Sequence, residues 1–212
     1  MLKLYDYFRS SASYRVRIAL NLKNLGYDAI PVHLVNNGGE QFSANYLAIN
    51  PQSLVPALDI GGKIITQSLA IIEYLDEIQP DPALLPADPL TRALARAFAL
   101  TIAADIHPLN NLRITKYLTE NFHISDAEKT QWYHHWMIKG FTALEQQIVA
   151  TGARTPFCFG TTPSIADICL VPQMFNARRF QCDITAFPNL HRIDEHCQQQ
   201  TAFNLARPLE TA

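Results

Sequence analysis

The chain has 212 residues, of which 48% are apolar and 17% charged, and a formal net charge of -2. That apolar content fills one large core or two small ones, and the near-neutral balance argues against a nucleic-acid binder, which needs a basic face. No apolar run nears the roughly 18 residues of a membrane span, and the opening MLKLYDYF lacks the basic start and long apolar stretch of a secretory signal, so the cytoplasm is the expected compartment.

The first eighty residues alternate in type. The pattern predicts a strand over residues 2–8. A helix follows over 13–25, with Val16, Ala19, Leu20 and Leu22 near helical spacing. Gly26 is the expected helix stop. A second strand covers 28–34, and Pro31 inside it marks an edge position. A polar, Gly-rich loop at 36–40 leads to a short helix over 43–49, which stops before Pro51. Residues 57–60 and 63–66 form a hairpin around Gly61-Gly62. A helix over 68–78 completes the order β-α-β-α-β-β-α.

A Pro/Asp-rich stretch from Pro80 to Pro89 is the clearest boundary. It divides the chain into a domain at 1–80, a linker at 81–88 and an almost wholly helical domain at 89–212. Asp88-Pro89 is an N-cap and first-turn pair. The helix it opens is expected to reach about residue 118, with a bend at Pro108. Ser125 and Glu128 form a capping box for a helix to about 150. Ser164 and Asp167 repeat the box with a shorter acid. A last helix spans about 188–199. The fold class is therefore α/β followed by all-α.

Four cysteines, at 158, 169, 182 and 197, include no CxxC pair. They read as reduced thiols rather than a disulfide frame, and no metal site is expected. His134-His135 lies in a polar helical stretch and reads as a solvated pair.

Three stretches bear chemistry. In Arg9-Ser10-Ser11-Ala12-Ser13 a strand gives way to a helix. Such a helix end presents unpaired N–H groups and partial positive charge, which can hold an anion or lower a thiol pKa. Plain N-capping by serine is the competing reading. In Leu54-Val55-Pro56 a proline stands just ahead of a strand. A cis bond there would expose the Val55 backbone to an extended ligand, whereas a trans turn proline would not. In Gln67-Ser68 a strand again ends in polar residues at a helix start, suited to a ligand's carboxylate and amine or to capping.

Together the segments YFRSSASYRVRIALNLK, EQFS, NPQSLVPALD, QSLAIIEYLDE, PALLPADP, DIHPLNNLRI, SIADICLVPQ and NARRFQCDITAFPNL resemble the zeta class of glutathione S-transferases. They run from Tyr7 to about Leu190, nearly the whole chain. The resemblance implies an N-terminal thioredoxin-like domain that binds glutathione and a C-terminal helical domain that receives the substrate. It implies that Ser10 points its hydroxyl at the glutathione sulfur and that Ser11, Ala12 and the helix start to Arg15 complete that wall. Val55 is expected to pair with the cysteinyl backbone. Gln67 and Ser68 would hold the γ-glutamyl end, and Gln41 would contact glutathione from the loop after the second strand. His107, Asn111 and Arg113 would line the site from the helical domain. Arg179 would meet an acidic substrate, with Arg9 beside Ser10 doing the same.

The activity implied is a glutathione-dependent cis–trans isomerisation of a cis-enedione dicarboxylate, maleylacetoacetate ahead of maleylpyruvate. A thiolate adds to the double bond, the resulting single bond rotates, and the thiolate leaves. Arginines suit the carboxylates and the charge that builds on the carbonyl oxygen. Arg15 and Arg17 read instead as ion pairs or packing along the first helix. Arg178 reads as solvated, although the sequence does not decide between it and Arg179 as the residue that meets the substrate. A homodimer is expected from the class.

One position departs from the class. Its motif Ser-Ser-Cys reads here Ser10-Ser11-Ala12. A mechanism that uses the protein's own thiol would fail, but glutathione brings its own sulfur. Two other readings stay open, a general conjugating transferase and a non-catalytic glutathione-binding scaffold. A redox role is disfavoured, because no cysteine stands at the first helix start.

Overall fold

The computed structural model describes residues 1–152 and 154–208. Its first unit begins β1 (Leu2–Asp6), α1 (Ser11–Leu22), β2 (Tyr27–Pro31), α2 (Ala44–Leu47), β3 (Ala57–Ile60), β4 (Lys63–Thr66) and α3 (Ser68–Ile78). The sheet order is β2-β1-β3-β4. β1 runs parallel to β2 through the α1 crossover and antiparallel to β3, which pairs antiparallel with β4. Pro31 stands on the edge strand, where its missing donor interrupts no inner ladder. Leu4, Val16, Ala19, Leu20, Leu58, Ile71, Ile72 and Leu75 are at most 1% exposed and form the core between sheet and helices.

α1 differs from expectation at both ends. It starts at Ser11 rather than 13, because Ser10 already caps it. It ends at Leu22, and the left-handed residue that stops it is Asn24 (φ 51°), not Gly26. Asparagine is the commonest substitute for glycine in that conformation.

The second unit spans residues 85–199. α4 (Pro89–Leu100) continues through a π-helical segment, Thr101–Ile106, into the single turn α5 (His107–Leu109). α6 (Leu112–Phe122), α7 (Asp126–Ala150), α8 (Ile165–Arg179) and α9 (Pro188–Gln198) follow. The long helix expected to bend at Pro108 therefore breaks outright at Asn111. There the backbone turns extended, and the Asn111 side chain caps the Arg113 N–H at 3.0 Å. A Cβ added at Gly140 would lie 2.3 Å from Ile106 Cδ1 and Cγ1. Glycine inside a helix costs about 1 kcal/mol against alanine, and here it lets α7 approach the π segment closely.

Both capping boxes form as read. Glu128 accepts from the Ser125 N–H and hydroxyl at 2.7 Å each. The fully buried Asp167 accepts from Ser164 N–H and from Cys158 N–H, both at 2.8 Å. Glu145 of α7 caps α9 by accepting from the Asn189 and Leu190 N–H groups at 3.0 Å.

After α9 the chain returns to the first unit as α10 (Thr201–Ala206), which packs on α1. Tyr14 Oη donates to Phe203 O at 3.4 Å and Asn21 Nδ2 to Ala202 O at 2.9 Å. The sequence pattern contained no α10, and the expected second domain ran to 212. Residues 200–208 belong with the first unit instead, and positions 209–212 lie outside the described residues. Arg17 is structural, as expected. It grips Asp6 at 2.6 and 2.9 Å, Phe8 O at 3.1 Å and Ala206 O at 3.0 Å. Among the described residues no helix is long and apolar enough to cross a membrane.

Candidate functional site

The sheet register brings four loops of the first unit to one end. Tyr5 pairs with Ala57, and Ala57 with Thr66. The chain leaving β1, the chain entering β3 and the chain leaving β4 therefore meet there. β2 is parallel to β1, with Asp6 opposite Pro31, so the loop after β2 joins them. These loops and the helix starts that follow them hold Arg9–Ala12, Val55, Gln67–Ser68 and Gln41. A small apolar cluster of Tyr7, Val32, Tyr46 and Val55 supports them, with Tyr5, Phe8, Leu34 and Ile49 packed against it.

Ser10 is the N-cap of α1, and its Oγ accepts the Ser13 N–H at 3.2 Å. The capping reading is thus correct, yet it uses only a lone pair. The hydroxyl proton remains available to donate. Ser11 is buried in the first helical turn, and the half-buried Ala12 offers no polar side-chain atom. Arg9 is exposed, with its guanidinium carbon 5.0 Å from the Phe8 ring centre.

Val55 precedes a cis bond to Pro56. The Leu54 carbonyl before it is fixed by Tyr46 Oη at 2.6 Å and Asn50 Nδ2 at 2.7 Å. Burial pushes the Tyr46 phenol up to about 12, so it stays a donor. Among the described residues no hydrogen bond engages the Val55 N–H or C=O.

Gln67 sits at φ 71°, ψ 117°, a conformation that costs a non-glycine residue about 1–3 kcal/mol and that clusters at functional sites. α3 begins without a side-chain cap, which leaves first-turn N–H groups for an anion. Gln67 Nε2 donates to Gln52 Oε1 at 3.1 Å. The buried Ser68 Oγ accepts from Arg15 Nη1 at 3.3 Å, tying α1 to the start of α3. Gln41 is 5% exposed and donates to Leu34 O at 3.3 Å. Its Oε1 is buried with no hydrogen-bond partner among the described residues. A Cβ on the neighbouring Gly39 would lie 2.6 Å from that amide, so the cradle needs glycine.

The remaining candidates lie in the second unit. Asn111 and Arg113 open α6, and His107 opens α5. The segment around Leu109–Asn111 is tied to α7. Trp132 Nε1 donates to Leu109 O at 2.8 Å, and Asn110 Nδ2 to Tyr133 O at 3.5 Å. The end of α8 is tied to the same turn of α7. Phe180 stacks on Tyr133 at 4.0 Å, and its carbonyl meets His134 Nε2 at 2.8 Å. His134 is therefore half-buried and bonded rather than solvated as expected. Arg178 is likewise not simply solvated, because it pairs with the buried Asp194. Arg179 is exposed, over the Phe180 ring at 5.2 Å, with no carboxylate partner among the described residues.

Sequence reasoning missed Tyr46, Asn50 and the Arg15–Ser68 bond. Only Asn50-Pro51, a turn-initiating dipeptide, offered a signal.

The unmet groups of the first unit complement a small acidic peptide thiol. They are a backbone pair for an extended chain, an open helix start for a carboxylate, a hydroxyl proton for a thiolate and an amide oxygen for a donor. A γ-glutamyl tripeptide such as glutathione supplies each counterpart. The β-α-β-α-β-β-α unit is thioredoxin-like, and a chain of this unit plus a helical one has the architecture of a glutathione S-transferase.

Known proteins agree. A family model for the glutathione S-transferase N-terminal domain matches residues 4–83. The probable maleylacetoacetate isomerase of Vibrio cholerae is 49% identical over 205 residues, covering 97% of this chain and 94% of the relative. The holo structure of a bacterial zeta-class maleylpyruvate isomerase superposes with a TM-score of 0.94 at 45% identity, covering 97% and 96% of the two chains. The maleylacetoacetate isomerase of Methylobacterium extorquens AM1, with bound malonate and glutathione, gives 0.94 at 37% identity, covering 99% and 98%. The chain belongs to the zeta class of the glutathione S-transferase family.

Proposed function

We propose that the protein is a glutathione-dependent cis–trans isomerase that converts maleylacetoacetate to fumarylacetoacetate in tyrosine and phenylalanine breakdown. The observation that carries this reading is the cluster of unmet peptide- and thiol-complementary groups at one end of the sheet, in a chain 49% identical to a probable maleylacetoacetate isomerase. Maleylpyruvate, from gentisate-type breakdown, is the second reading, favoured by the 0.94 superposition on a maleylpyruvate isomerase.

When bound, glutathione supplies the thiolate that adds to the cis double bond and leaves after rotation. The chain's own residues do the rest. Val55 pairs its N–H and C=O with the cysteinyl backbone, which fixes where the sulfur lies. Ser10 donates its hydroxyl proton toward that sulfur, while the α1 start adds partial positive charge. Both favour the ionised form of a thiol whose ordinary pKa is about 8.5. Gln67, Ser68 and the α3 start hold the γ-glutamyl end, Gln41 accepts a further donor, and Ser11 and Ala12 complete the wall. Arg179 and Arg9 take the substrate's carboxylates and the charge on its carbonyl oxygen. His107, Asn111 and Arg113 line the substrate side. In this reading the protein works as a cytoplasmic homodimer.

Calorimetric titration with glutathione, then with malonate in its presence, tests both halves of the site. Saturable binding of each is expected. A protein that binds no glutathione overturns the reading.

A further inference from the structure

The loop that presents Gln41 is organised by one imidazole. His33 follows β2, and its Nδ1 faces two backbone donors, Asn36 N–H at 2.9 Å and Val35 N–H at 3.3 Å. Two donors on one ring nitrogen require that nitrogen to hold the lone pair, so the ring proton is on Nε2. The same residue closes the loop through its backbone. His33 N–H donates to Glu40 Oε2 at 2.7 Å, and Glu40 N–H donates to His33 O at 2.8 Å. The ring lies edge-on to Tyr7, with centres 5.1 Å apart, and 6.5 Å from Phe8. His33 therefore joins the loop after β2 to the segment that leads into Ser10. Gln41 hangs on this frame, because Leu34 O accepts its amide and Gly39 N–H closes on Asn36 O at 2.8 Å.

We infer that His33 is a positioning residue for glutathione binding: its Nδ1 acceptor holds the loop in the shape that aims the Gln41 amide oxygen at the ligand. The inference rests on the glutathione reading of the site. It ascribes the effect to one acceptor atom rather than to the ring's bulk or its stacking.

That distinction chooses the variants. His33→Phe keeps the ring against Tyr7 and removes the acceptor. His33→Asn removes the ring but places Oδ1 one bond from Cγ, where Nδ1 stood, with two lone pairs for the same two donors. Titration with glutathione is expected to show about tenfold weaker binding for His33→Phe, the scale of a lost hydrogen-bonded loop anchor. His33→Asn is expected to stay within about threefold of the parent. In turnover the His33→Phe loss falls on KM for glutathione more than on kcat. Amide exchange supplies a readout that holds even if binding is unreadable. The Val35 and Asn36 amides lose protection in His33→Phe and keep it in His33→Asn. Parent-like binding and protection in His33→Phe would overturn the inference, as would equal losses in both variants. A parent protein that binds no glutathione would instead overturn the underlying reading, and the inference with it.

Discussion

Ser10 Oγ accepts the Ser13 N–H at 3.2 Å, so one side chain both caps α1 and keeps a proton to donate. The two roles separate by substitution. Glycine at an N-cap costs only a few tenths of a kcal/mol, whereas alanine costs about 1. Ser10→Gly is therefore expected to leave the melting temperature nearly unchanged and to lower glutathione-dependent turnover by about 10²-fold or more, the scale of losing one aimed donor. Turnover within a few-fold of the parent would show that the hydroxyl acts only as a cap.

The chain's own thiols stand apart from this chemistry. All four cysteines are buried, and none of them forms a disulfide. Burial pushes the Cys158, Cys182 and Cys197 thiols up, away from the reactive thiolate. With Ala12 where the class carries a cysteine, the glutathione-free protein is expected to keep its activity through iodoacetamide treatment at neutral pH. Rapid inactivation, followed by activity and intact mass, would point to a nucleophilic cysteine that this account lacks.

Adjacent arginines at the end of α8 have different duties. Arg178 pairs with Asp194, whose side chain is fully buried and whose carboxyl is pushed up by that burial. Arg178→Ala leaves this carboxylate without its cation. It is expected to cost about 1–3 kcal/mol, below the range for fully buried pairs because Arg178 is partly exposed, or roughly 2–10 °C in melting temperature. Arg179→Ala is expected to leave the melting temperature nearly unchanged, to raise KM for the dicarboxylate and to lower kcat/KM by about 10²-fold. A reversal of these two outcomes, in paired melting and kinetic measurements, would exchange the residues' roles.

The capping box of α7 has a defined pH signature. Hydrogen bonds from the Ser125 hydroxyl and N–H hold the Glu128 carboxyl below its ordinary value. Its folded pKa is thus lower than its unfolded pKa of about 4.3. The stability it adds is complete above the unfolded value and is lost as pH falls through the folded one. The melting-temperature gap between the parent and Glu128→Ala is therefore expected to be full at neutral pH and to close below about pH 4. A gap that stays constant through that window would contradict the assignment.

Most of the fold was legible because it rests on local signals. The Ser125 and Ser164 boxes, the Gly61-Gly62 hairpin and the edge Pro31 each announce their structure within a few residues. The misses are tertiary. α10 is held by Tyr14, Arg17 and Asn21 reaching across from α1, and no short-range pattern encodes that. The break before α6 comes from the Asn111 cap, three residues beyond the proline that marked the expected bend. In the site, polar residues at strand ends could be named from sequence. That Ser10 caps and also donates, that Gln41 Oε1 is buried without a partner, and that Arg178 is committed to Asp194 depend on packing between distant segments.

The most direct test of the central claim is a side-by-side ultraviolet assay of maleylacetoacetate and maleylpyruvate isomerisation, with and without glutathione. The account predicts fast turnover only when glutathione is present, with maleylacetoacetate the faster substrate. Faster maleylpyruvate turnover would move the protein to its second reading. No glutathione-dependent turnover of either substrate would contradict the isomerase assignment.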